Sequence, residues 1–166
     1  MQIPKDLPEL TALFERLGAK SPDSWAESQI DEGIPQLHRF LFLRQAWSNV
    51  TDDGATKWID YQRKQAERAP DAPFSGMGHA LDRAVKAGVS ADDLTEIVRC
   101  AQAELLFQLC YMLEDNGLPE PELEGIGWGL FQTDESGQPI GPIYGLHESV
   151  LSMDPTGREM CPPKKP

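Results

Sequence analysis

His147, Glu148 and Ser149 put an imidazole, a carboxylate and a hydroxyl on three successive residues. An HE dipeptide opens the HExxH zinc motif, in which a second histidine one helical turn later brings both imidazoles to one face. Position 151 is Leu, so that second ligand is missing. A serine nucleophile is no better supported. GxSxG occurs nowhere in the chain, and side chains two residues apart on a helix point in different directions. The residues favour a helix start after Gly145, with His147 and Glu148 in solvent and Val150 and Leu151 turned inward.

Other reactive residues form no motif. His38, His79 and His147 are the three histidines, and none stands in the Glu-x-x-His spacing of a di-iron bundle. Cys100, Cys110 and Cys161 form no CxxC pair. On one helix Cys100 and Cys110 would lie about 15 Å apart, too far for a disulfide. An odd, scattered set of cysteines points to a reducing, cytoplasmic compartment. Asp134-Glu-Ser-Gly137 lacks the EF-hand spacing and reads as a turn. Gly76-Met-Gly78 lacks the third glycine and the preceding strand of a dinucleotide loop. No metal or cofactor is implied.

Glu104 and Gln108 are more informative. They stand four apart at the flank of the apolar sector of the longest expected helix. An unpaired buried carboxylate is costly, so a buried Glu104 needs a partner, and Arg39 or Arg44 on an earlier helix could supply it. An ion pair between helices is the structural reading. The functional one is a polar ligand site in which Glu104 and Gln108 meet His147 and Glu148 from the C-terminal segment.

Charge is the clearest signal. The 166 residues carry a net charge of −12, unevenly placed. From Cys100 to Gly157 there is no Lys or Arg, while ten acids occur there, among them Glu104, Glu114, Asp115, Glu148 and Asp154. Nucleic-acid binding needs a basic footprint and is excluded on this ground. A basic protein partner is compatible with it. The most apolar run, Leu105 to Leu113, is far short of the roughly 20 residues of a membrane span. The start, MQIPKDLPEL, has no apolar signal-peptide region, so a soluble cytoplasmic protein is expected.

Helices must position these residues. Leu7, Leu10, Leu13, Phe14 and Leu17 predict the first, ended by Gly18. Ser21 is read as the cap of a second, with Pro22 in its first turn, ending before Gly33 and Pro35. A third carries Ile34, Leu37, Phe40, Leu41, Arg44 and Trp47; a polar fourth spans about 55–68, and a short fifth about 78–87. Ser90 caps the longest, running to about Glu114. On it Leu94, Val98, Ala101, Leu105, Leu109 and Met112 share one face, Leu106, Phe107, Cys110, Tyr111 and Leu113 cover the other directions near its end, and that half is expected to be the buried centre of the domain.

Strands are expected at Trp128 to Thr133 and Pro139 to Tyr144, joined by the Asp134–Gly137 turn. Residues 1–153 thus predict a single, mainly α domain, a bundle of five or six helices with a C-terminal β-hairpin at about 127–145. A loosely ordered tail is expected over 154–166.

Three functions follow. The leading expectation is a non-enzymatic protein-binding module of inhibitor, immunity or adaptor type. Its surface is an apolar hairpin rimmed by acids: Glu120, Glu122, Glu124, Trp128, Asp134, Glu135 and Tyr144. The second is an enzyme, or a small-ligand or metal-binding protein, with a polar site between the central helix and the C-terminal segment, built on Glu104, Gln108, His147 and Glu148. The third is a homodimer paired through the hairpin edge or the tryptophan-bearing helices.

Overall fold

The computed structural model describes residues 3–162. It contains six helices of ten residues or more, then a two-stranded sheet and a one-turn helix. The helices are α1 (Leu7–Arg16), α2 (Pro22–Asp31), α3 (Gln36–Trp47), α4 (Lys57–Arg68), α5 (Ser75–Lys86) and α6 (Ala91–Met112). A 3-10 turn at Pro121–Leu123 leads to β1 (Leu130–Thr133), β2 (Pro139–Ile143) and α7 (Leu146–Ser149). This is the mainly α domain with a C-terminal hairpin that the sequence predicts.

Local signals start and stop these helices. The Asp6 carboxylate accepts from the Glu9 amide at 3.2 Å, and Gly18 turns the chain away at φ +87°. Ser90 accepts from the Asp93 amide at 3.0 Å, with Asp92 and Asp93 in the first turn of α6. Ser21 departs from expectation: it precedes Pro22 but its hydroxyl makes no capping bond.

α3 is the spine of the molecule. Leu37 and Phe40 join Leu10, Leu13, Phe14 and Ala26. Leu43 joins Cys110, Ile143, Leu146 and Val150. Trp47 joins Val50 and Ala103. α3 thus packs against neighbours in several directions and leaves Arg44 and Gln45 exposed. α4 and α5 pack closely on each other through Gly78, where a Cβ would lie 2.3 Å from the Gln62 carbonyl oxygen.

The face that α6 buries is not the one its apolar pattern indicates. Thr95, Arg99, Ala103 and Cys110 are buried, while Leu105 is 60% exposed, Leu109 43% and Met112 45%. At 100° per residue the two sets are centred roughly 120° apart. The rotation holds because the polar members of the buried face find partners. Arg99 pairs with Asp154 at 2.5 Å and donates to the Thr51 carbonyl at 2.8 Å. Thr95 Oγ1 donates to the Ala55 carbonyl at 2.9 Å and accepts from Trp58 Nε1 at 3.1 Å. Paired in this way, most of these polar groups cost little to bury, and Arg99 Nε alone among them is left without a hydrogen-bond partner among the described residues.

The same pair corrects the expectation of a loose tail from residue 154. Asp154 is fully buried. Its carboxylate accepts from Arg99, from Thr156 Oγ1 at 2.6 Å, and from the Thr156 and Met160 amides. Arg158 reaches back to Asp53 at 2.6 Å. Residues 152–160 are therefore a strap held onto the helices, and 163–166 lie outside the described residues.

Candidate functional site

Two cavities of similar size flank α3 on opposite sides. The first, about 530 Å³, is walled by Trp25 of α2, Phe40 and Trp47 of α3, and Met153 of the strap. Lys20 and Arg44 stand at its edge. Trp25 and Phe40 meet edge to face with centroids 5.5 Å apart. Trp47 is fixed by its Nε1 donating to the Val150 carbonyl at 2.7 Å. The second cavity, about 510 Å³, is a groove between α3 and the C-terminal half of α6. Phe42, Val50, Leu105, Leu106, Leu109 and Leu113 line it, and no charged side chain does.

The groove continues toward the hairpin. Trp128 Nε1 donates to the Met112 carbonyl at 3.0 Å, and the Trp128 carbonyl accepts from Asn116 Nδ2 at 2.7 Å. In the sheet Leu130 pairs with Ile143 and Phe131 with Pro142. Alternation sends Leu130 and Ile143 into the core and leaves Phe131 out. Trp128, Phe131, Ile140 and Tyr144 are all exposed.

Each sequence-predicted partner-binding residue is exposed. Glu120, Glu122 and Glu124 surround the 3-10 turn, Trp128 and Tyr144 flank the hairpin, and Asp134 and Glu135 tip it. Asp134 also builds the turn, accepting from the Ser136 amide and hydroxyl and the Gln138 amide. The Ser136 hydroxyl and then the Gln138 amide hold its carboxyl below the usual value.

The four residues of the alternative ligand site do not come together. Glu104 and Gln108 are exposed on α6, and neither Arg39 nor Arg44 pairs with Glu104. Arg39 is buried and pairs with Glu148 at 3.3 Å. Its guanidinium lies against Gly145, where a Cβ would meet Nη1 at 2.5 Å and φ is +72°. His147 turns to Glu114 instead, with Nδ1 3.0 Å from the carboxylate. None of the four lines either cavity.

Glu114 is the residue that sequence reasoning missed. Its carboxylate accepts from the amides of Gly145 (2.9 Å), Leu146 and His147 (3.3 Å) as well as from the His147 side chain. One carboxylate at the end of α6 thus gathers the start of α7, where amides and helix dipole favour negative charge. Only its place just past the longest helix hinted at this.

Compared with models of known protein families, with characterised proteins and with solved structures, the chain matches none of them. Among the described residues no group of three or more His, Cys, Asp or Glu is placed to hold a metal. No helix there is long and apolar enough to cross a membrane.

Proposed function

We propose that this chain is a cytoplasmic protein-binding module whose acidic, apolar C-terminal half docks a basic protein. One observation carries this reading: the apolar face of α6 lies open to solvent at Leu105, Leu109 and Met112, and it runs on to Trp128. An apolar surface of this kind, depleted of charge at its centre and rimmed by charge, has the anatomy of a protein interface. On the α6 and hairpin side the rim is of one sign, because the chain has no Lys or Arg between Arg99 and Arg158. Such a field steers a basic partner to the patch, and the partner's apolar side chains then fill the groove.

The test is affinity capture followed by measurement. The protein is immobilised and a lysate of its source cells passed over it at low and moderate salt. The retained basic protein is then purified and titrated against wild type, Leu109→Glu, and Glu120→Lys with Glu124→Lys. We expect Leu109→Glu to cost about 2 kcal/mol or more of binding with helicity unchanged, and the charge reversals to weaken binding most at low salt. A partner whose affinity ignores both sets overturns the reading. So does capture of nothing beyond what a charge-matched control retains. Light scattering that shows a dimer abolished by Leu109→Glu would instead assign the surface to a second copy of the chain.

A further inference from the structure

We propose that the cavity between α2, α3 and the 152–155 strap is a binding site for a small, flat, apolar monocarboxylate. About 530 Å³ is within the range of small-molecule sites and admits a fused bicyclic ring. Its walls, Trp25, Phe40, Trp47 and Met153, are aromatic or thioether. Such walls take a flat π-system by stacking and sulfur–ring contact. Three side chains around them are already oriented: Trp47 by its bond to Val150, Trp25 and Phe40 by each other. Little ordering entropy is then left for binding to lose.

The charges at the edge select the ligand's head group. In a chain with 27 acids against 15 bases, two cations face one cavity and neither forms an ion pair among the described residues. Backbone carbonyls hold both in place. Arg44 Nη1 donates to Leu17 at 3.1 Å, and its guanidinium sits 5.9 Å from the centre of the Phe40 ring. Lys20 donates to the Asp154 carbonyl. A guanidinium has five N–H donors and an ammonium three, so each keeps donors for an incoming anion. Asp52 also lines the cavity. Two positive charges against one negative leave room for a single negative charge on the ligand and disfavour a phosphate dianion. This cavity and the groove of the proposed docking surface lie on opposite flanks of α3, so either assignment can fail alone.

The four tryptophans make the test selective. Trp25 and Trp47 line the cavity, whereas Trp58 and Trp128 do not. The uniformly ¹⁵N-labelled full chain is titrated with 2-naphthoate and with its neutral counterpart 2-naphthamide, following the four indole N–H signals. We expect naphthoate to shift Trp25 and Trp47 alone and to bind at least about tenfold more tightly than the amide, the worth of one charge-assisted bond. Lys20→Gln with Arg44→Gln should abolish that preference, so that acid and amide bind alike. Equal affinity for acid and amide on wild type overturns the proposal without need of any variant. Absence of shifts up to about 5 mM does the same, since a built site for this head group binds more tightly than that. Shifts at Trp128 in place of Trp25 and Trp47 move the binding to the hairpin surface and also overturn it.

Discussion

The two cavities beside α3 differ little in volume and greatly in chemistry. One is aromatic and edged by Lys20 and Arg44; the other is aliphatic and uncharged, with one wall from α6 within the stretch 100–157 that has no Lys or Arg. The first is closed on one side by a strap that polar bonds hold down. The second is open because the apolar sector of α6 was left outside when Arg99 and Thr95 were taken inside. Similar voids therefore arise by different routes. One is roofed over by a late segment, and the other is exposed by a helix rotated about its axis. A roofed site suits a small ligand, and an open groove suits a protein.

Breaking the roof should have the largest effect. Asp154→Ala leaves Arg99 buried without its partner, and we expect a loss of about 3–5 kcal/mol in urea unfolding. The Trp47 indole signal should shift with it. A loss below about 1 kcal/mol would mean that the strap does not lock the first cavity. The pH dependence has a fixed sign. Burial alone would raise the Asp154 carboxyl, but the Thr156 hydroxyl, the Met160 and Thr156 amides and the Arg99 charge outweigh it and hold the group below its ordinary 3.8. Its stabilisation is thus complete above the unfolded value and is lost as pH falls through the lowered folded value. Stability that stays flat on acidification below about pH 4 would count against this coupling.

Two leucines test the rotation of α6. Leu43→Ala, at a site with no exposure, should cost about 2–5 kcal/mol, and Leu105→Ala no more than about 0.5 kcal/mol. Similar costs at both sites in chemical denaturation would show that the groove closes in solution. Next comes Glu114→Ala, which removes the acceptor for the Gly145 amide and the first two amides of α7; a loss of about 1–2 kcal/mol and faster exchange of the Leu146 amide are expected. Unchanged exchange there would separate α7 from Glu114.

The last comparison is chemical and leaves stability untouched. Burial, and then the Glu114 charge, pushes the Cys110 thiol up to about 11. Lining the groove, it should alkylate about 100-fold more slowly at pH 8 than the exposed Cys161. Comparable rates, read by mass spectrometry, would show a groove wider in solution than between these helices.

Where the decisive signals were local, the sequence was legible. Asp6, Ser90 and Gly18 mark helix ends through bonds and dihedrals within a few residues of themselves, and Asp134 to Gly137 announces the hairpin turn in the same way. The face of α6 was not legible from its hydrophobic pattern. That pattern places every leucine correctly in angle but cannot know that Arg99 will find Asp154 fifty-five residues later. The exposed acids were legible as a surface. Glu114 was not, because its partners come from α7.

The sequence by itself thus determined the helices, the hairpin and the one-signed charge of residues 100–157, since each depends on residue type and near neighbours alone. Tertiary structure decided which face of α6 is buried, that Asp154 ends in a locked strap, and that Trp25, Phe40 and Trp47 wall a cavity with the core on one side of them. The physical reason is that a buried polar group is tolerated only when a distant segment supplies its hydrogen bonds, and local patterns carry no record of that partner.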